Sequence, residues 1–168
     1  MTTSPVTYCL DSNVLIQAWQ KYYSPKICPD YWNILCELGK REKIFLAEEI
    51  RDEITKTDDE LSDWLKSSGI PVHRTDSSVT DCWKHILEAN EHHKFLVAES
   101  KGRSLGDPWV ISHAIVVGAI VVTREEFVQT PRPSRIKIPN VCQNMGVPWV
   151  NDFQFIEALN IQFSCTLK

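Results

Sequence analysis

Five short apolar runs, each separated from the next by a stretch with helical periodicity, constrain the fold of this 168-residue chain. Strands that alternate with helices are typical of a parallel sheet covered by helices. The sequence therefore predicts a single domain, residues 1–168, with a three-layer α/β/α sandwich around a central, mostly parallel sheet of four to five strands. The expected strands lie near 6–10, 43–46, 71–73, 119–123 and 147–150, the expected helices begin near 13, 29, 78, 108 and 152, and Thr57 and Glu60 form the capping box of a further helix.

Composition excludes several classes of protein. No apolar run approaches the roughly 20 residues that span a bilayer, and the N-terminus does not resemble a secretory signal, so we expect a cytoplasmic location without membrane contact. The six cysteines form no Cys-x-x-Cys pair, and we expect reduced thiols. The net charge of −4 argues against a protein that coats nucleic acid without sequence preference. Gly-x-Ser-x-Gly, P-loop and Gly-x-Gly-x-x-Gly motifs are absent.

Four acidic residues stand where apolar runs end or helices begin. Asp11 follows the first run, Glu53 lies one helical turn past the second, Asp107 precedes Pro108 and a long apolar helix, and Glu125 follows the run that ends at Thr123. If the strands are parallel, these acids meet at the carboxyl edge of the sheet, where open α/β sheets bind ligands. Crowded carboxylates need a cation, so the pattern predicts a divalent metal site and phosphodiester hydrolysis.

Each acid also has an alternative, which is a capping role for two of them and a neighbouring glutamate for the other two. Asp11 or Ser12 is a suitable N-cap for the following helix, and Asp107 before a proline is a favoured helix start. Glu49 lies on the same helix face as Glu53 and is the second choice for that role. Glu126 is equally placed to act instead of Glu125.

Four segments resemble the PIN-domain nuclease family. Residues 8–16 are similar to its opening Leu-Asp-Ser/Thr-Asn-x-Leu-Ile, and residues 50–54 to its glutamate after strand two. Residues 106–114 resemble its Asp-x-x-Ile-x-x-x-Ala segment, and residues 121–127 its Val-Thr-x-Asp-x-x-Phe end. The resemblance implies an α/β/α fold and Mg²⁺- or Mn²⁺-dependent cleavage of RNA. Many members are toxins of the VapC kind, restrained by an antitoxin and often homodimeric.

Asp11, Glu53, Asp107 and Glu125 are therefore the candidate catalytic residues. Asp11 and Asp107 would hold one metal, joined by Glu53, while Ser12, Asn13 and Thr123 would support the site and Glu125 would place a water or a second metal. The chain departs from the family at Glu125, where an aspartate is usual, and in residues 57–65 and 138–142. These departures indicate a divergent branch.

Basic and aromatic side chains suggest where RNA would lie. Arg124 directly precedes the last acid, Glu125, while Arg132, Arg135 and Lys137 follow it, and Lys26 lies in a proline-containing loop. Trp19, Tyr22 and Tyr23 flank that loop and are candidates for stacking on bases. His113, in the apolar helix, is more simply a core histidine. The second hypothesis is a PIN-like module that binds RNA or protein without cutting, with the acids acting as caps.

Overall fold

The computed structural model describes residues 5–97 and 106–167, and within them the strands form one five-stranded sheet. All neighbouring strands pair in parallel, in the order β3-β2-β1-β4-β5. The predicted parallel sheet is therefore confirmed, at the upper end of the expected number of strands. The strands are β1 Tyr8–Leu10, β2 Ile44–Ala47, β3 Val72–His73, β4 Ile120–Val122 and β5 Trp149–Val150.

The central strands are buried on both faces. Every residue of β1 and β2 is buried, as their unbroken apolar runs require, since strands covered by helices on both sides do not alternate apolar with polar residues. Cys9 pairs with Phe45 on one side and with Val121 on the other. β1 is therefore the centre of both the sheet and the core.

Helices cover both faces because the strand order reverses at β1. The chain passes from β1 to β3 in one direction and from β4 to β5 in the other, and right-handed crossovers in opposite directions put their helices on opposite faces. This is the predicted α/β/α sandwich. The helices are α1 Ser12–Gln17, α2 Pro29–Lys40, α3 Glu48–Thr55, α4 Glu60–Ser67, α5 Ser77–Ala89, α6 Asp107–Val117, α7 Ile138–Met145 and α8 Asp152–Ala158, with a π-helix at Ala18–Tyr22 and 3₁₀ turns at Glu91–Val97 and Pro133–Arg135.

Two predicted helix starts are corrected. The capping box of Thr57 and Glu60 does not form, because Asp59 is the N-cap of α4 and its side chain accepts a hydrogen bond from the Ser62 amide at 2.9 Å. Asp107 is not the N-cap of α6 either. Gly106 takes that position, and Asp107 lies in the first turn.

Helix α7 was not predicted from the sequence. It begins at Ile138–Pro139, where the proline ring suits the first turn, and it ends at Gly146 in the left-handed conformation with φ of 67°. Residues 138–142, named above as a departure from the family, therefore belong to the helix that connects β4 to β5. Within the described ranges, no helix is both long enough and apolar enough to cross a membrane.

Candidate metal centre

The candidate site lies where the sheet changes direction. β1 and β4 are neighbours, and the connections that leave their carboxyl ends run to opposite sides of the sheet. Asp11 continues the pairing beyond β1, since its amide donates to the Val122 carbonyl at 2.9 Å. A crevice at such a reversal is where ligands bind in open α/β sheets.

Asp11 is the centre of the site. Its side chain is buried, with 1% of the residue exposed, and both carboxylate oxygens accept a hydrogen bond at 2.8 Å. The donors are the Ser12 amide and the Thr123 hydroxyl. Asp11 is therefore also the N-cap of α1, so the capping role and a ligand role coexist at this residue.

Burial and neighbouring acids make the Asp11 carboxylate unfavourable. Burial, followed by the charges of Glu125 and Glu53, raises the pKa of Asp11 to about 7 against the opposing hydrogen bonds from Thr123 and Ser12. A buried carboxyl group near two other carboxylates is stabilised in its charged form by a cation.

Glu53 reaches this cluster through Ser12. The Ser12 hydroxyl donates to Glu53 Oε1 at 3.2 Å, across 41 positions of sequence. Glu49, the alternative to Glu53, instead accepts a short hydrogen bond from the Thr75 hydroxyl, and its second oxygen lies 3.9 Å from His113 Nε2. Of the two glutamates, Glu53 is the one whose carboxylate contacts the serine beside Asp11.

Thr123 and Asn13 tie the two strand ends together. Besides donating to Asp11, the Thr123 hydroxyl accepts from the Glu125 amide at 3.1 Å and from Asn13 Nδ2 at 3.4 Å. Asn13 Oδ1 accepts from the Arg124 amide at 3.0 Å. These contacts fix the position of the loop that carries Glu125.

Glu125 has a contact that the sequence did not predict. Its Oε2 accepts from the Ile138 amide at 2.8 Å, at the N-terminus of α7, where the helix dipole favours an anion. The alternative acid, Glu126, has an exposed side chain. The fourth acid therefore caps α7 while its charge acts on Asp11.

Asp107 is buried, with 6% of the residue exposed, in the first turn of α6. Helix α6 packs against β1, β2 and β4, and Gly118 and Ala119 then turn the chain directly into β4. Because β4 follows at once, the helix runs opposite to the strands and begins at their carboxyl edge. Asp107 thus lies at the same edge of the sheet as Asp11.

The donors at this edge fit a hard divalent cation in chemical type. They are carboxylate and hydroxyl oxygens, which suit Mg²⁺ and Mn²⁺ rather than Zn²⁺. Within residues 5–97 and 106–167, no three acidic, histidine or cysteine side chains are arranged to hold an ion. Mg²⁺ usually keeps several waters and needs one or two carboxylates, so the buried Asp11 is the natural anchor for it.

Arg124 is engaged inside the protein. Its guanidinium pairs with the buried Asp152, donates from Nε to Gln17 at 3.0 Å and lies 4.1 Å from the centre of the Tyr22 ring. Its charge is therefore already neutralised, and as placed it does not offer a free contact to a phosphate. The other basic residues predicted to contact RNA remain at the surface: Lys26 and Arg135 are exposed, as is Arg132, and Lys137 is half-buried.

The predicted stacking aromatics divide into two groups. Trp19 packs against Trp32, with ring centres 4.7 Å apart, and Tyr23 stacks on Tyr31 at 4.3 Å, so both serve the core. Tyr22 is 46% exposed and remains a surface aromatic.

Asp152 was not predicted as a residue of this site. The signal was available, because Asp152 follows the apolar run that ends at Val150, much as Asp11 follows the run that ends at Leu10.

Comparisons with known proteins agree with the fold. A family model described as "Domain of unknown function (DUF4411)" matches residues 8–163. The chain belongs to this family. No curated protein matches this DUF4411 chain. Its structure is similar to a chain in the crystal structure of VapBC2 from Rickettsia felis bound to a DNA fragment from their promoter.

That similarity has a TM-score of 0.55 at 19% identity and covers 87% of the DUF4411 chain and 98% of the Rickettsia chain. At this identity the match establishes the fold alone. The resemblance to PIN-domain, VapC-like proteins is thus confirmed at the level of the fold.

Proposed function

We propose that this DUF4411 protein is a divalent-metal-dependent endoribonuclease and the toxin of a toxin–antitoxin pair. The main support is Asp11, a buried carboxyl group whose pKa is raised to about 7 beside two further acids at the ligand-binding edge of the sheet. The fold that this chain shares with a chain of the VapBC2 structure supports the same proposal. We place the protein in the cytoplasm, in keeping with its six free cysteines.

Asp11 and Asp107, joined by Glu53, are the residues that would hold Mg²⁺ or Mn²⁺. When bound, the ion supplies a hydroxide from water and neutralises charge on the phosphoryl group. The chain's own contribution is orientation. Thr123 and the Ser12 amide hold the two oxygens of Asp11 in place, and the Ser12 hydroxyl holds Glu53. A carboxylate held in this way loses little freedom when it coordinates an ion.

Cleavage of RNA in the presence of Mn²⁺ tests the proposal. The wild-type chain should cut, and Asp11→Asn should lose nearly all activity because the amide removes the anchoring charge. Asp30→Asn is the matched control. Asp30 is an exposed residue in the first turn of α2, and this variant should cut like the wild type. Equal cleavage by the wild type and Asp11→Asn would refute the assignment.

The partners follow from the same proposal. We expect an antitoxin that restrains the nuclease and a homodimeric toxin. Induced expression of the wild-type chain should arrest growth, whereas Asp11→Asn should not. Growth arrest by both forms would remove the nuclease site as the cause of toxicity.

A second candidate is a module that binds RNA or protein without cutting. Two contacts favour it, because Asp11 caps α1 and Glu125 accepts from the first amide of α7, so both acids already have structural roles. Metal titration distinguishes the candidates. A metal enzyme gains stability as RT ln(1 + [L]/Kd) when Mn²⁺ is added, and a metal-free module does not respond.

A further inference from the structure

A small cleft with aromatic walls opens beside Glu125. Its volume is about 250 Å³, and its lining includes Phe127, Trp149 and Phe153. Phe127 and Phe153 are 46% and 47% exposed. Both side chains therefore lack much of the free energy that full burial of a phenylalanine provides. The cleft is slightly smaller than the roughly 300–1,000 Å³ of typical ligand pockets, so it suits one flat group.

The ring faces of this cleft are arranged for stacking. Phe127 lies nearly parallel to Trp149, with ring centres 6.1 Å apart and planes inclined by 25°. On the other side, Phe153 meets the edge of Tyr22 at 6.4 Å. Tyr22 ends the π-helix, a rare conformation that occurs frequently at functional sites.

The charges that line the cleft are mostly negative. Glu125, Glu126 and Asp152 disfavour an anion such as phosphate, and Arg124, which also lines the cleft, is already paired with Asp152. The Arg124 guanidinium lies 4.1 Å from the centre of the Tyr22 ring and 5.3 Å from that of Phe153. An uncharged planar ring is not repelled by these carboxylates and stacks on the exposed phenylalanine faces.

We infer that this cleft binds one unstacked nucleobase of a single-stranded RNA whose backbone passes the acid cluster. The inference rests on the proposed nuclease function, because the cleft adjoins the site at Glu125. Bases splayed out of single strands stack on aromatic side chains, whereas paired bases are not available. The exposed carboxylate of Glu126 is suited to accept a hydrogen bond from an exocyclic amino group, which favours cytosine over uracil.

Binding of labelled RNA to the full chain tests the inference. Asp11→Asn serves as the background, so that the RNA stays intact, and the probes are short oligocytidine, oligouridine and an RNA duplex. Adding Phe127→Ala or Phe153→Ala should weaken oligocytidine binding by roughly 5- to 150-fold and leave duplex binding unchanged. Glu126→Gln should reduce the preference for cytidine over uridine.

Two controls separate stacking from loss of structure. Ile27→Ala removes an apolar side chain that is 81% exposed and should leave every affinity unchanged. Phe127→Leu keeps an apolar side chain but removes the ring, so it should weaken binding like Phe127→Ala while melting like the parent.

The results separate this inference from the proposed function. Unchanged oligocytidine affinity in both alanine variants overturns it. An equal loss for single strand and duplex overturns it as well. Cleavage of RNA by the wild type with Mn²⁺ is scored independently: ring-dependent binding without cleavage supports the base site and refutes the nuclease.

Discussion

Asp11→Asn should make the metal-free protein more stable at neutral and alkaline pH, although it removes a residue at the centre of the site. The folded state raises the pKa of Asp11 from its ordinary value of 3.8 to about 7, mainly through burial and then through Glu125 and Glu53. The folded protein therefore binds this proton more tightly than the unfolded chain. Stability from this group is fully present below pH 3.8 and is lost as the pH rises through 7.

The magnitude follows from the same values. At 1.36 kcal/mol per pH unit, the raised pKa corresponds to roughly 4 kcal/mol of lost stability at pH 8. Asparagine avoids this cost and still accepts a hydrogen bond from the Ser12 amide, but the Thr123 hydroxyl loses its acceptor, at a cost of about 1–2 kcal/mol. We expect a net gain of about 2–3 kcal/mol, or roughly 4–12 °C in Tm.

Urea unfolding in EDTA at several pH values measures this gain. The advantage of Asp11→Asn should be largest near pH 8 and should disappear near pH 4, where the wild-type carboxyl group is protonated in the folded protein. Asp30→Asn should show no such pH-dependent gain, since that residue is exposed. A less stable Asp11→Asn protein at pH 8, or a gain that is independent of pH, would refute the account of a destabilised carboxylate.

Three further predictions test other parts of the molecule. Burial lowers the pKa of His113 from 6.5 to about 4, so the stability that the neutral imidazole contributes is present above pH 6.5 and is lost as the pH falls toward 4, by up to about 3 kcal/mol. The His113→Gln variant should therefore lose less stability to acid over this range in urea unfolding. An unaltered dependence of stability on pH would contradict this account of His113. Gly39→Ala should lower the free energy of unfolding by about 1–3 kcal/mol, because a Cβ at this position would lie 2.8 Å from the Ile70 Cα. Thermal unfolding measures this loss, and an unchanged Tm would show that the backbone moves freely to make room. Thr123→Val removes the hydrogen bond that lowers the pKa of Asp11, so a carboxyl titration followed by NMR should move above pH 7, and a downward shift would contradict the role of this hydroxyl.

Local sequence was sufficient to predict the sheet and its layers. The runs around Leu10, Phe45 and Val121 are apolar at every position, and a strand can be apolar throughout when both of its faces are covered. The helices between them indicated parallel pairing, which placed Asp11 at the carboxyl edge. Local signals were weaker at α7, because a proline in the first turn is compatible with a loop as well as with a helix.

What the sequence alone determined is the alternation of buried strands with helices and the placement of acids at strand ends, since both depend on neighbours in the chain. Only the tertiary structure decided which side chains meet. Glu53 contacts Ser12 across 41 positions, Thr123 contacts Asp11 across 112, and Arg124 pairs with Asp152 across 28. These contacts depend on the strand order, which reverses at β1. The order is set by packing between segments that are distant in sequence, and local periodicity carries no information about such packing.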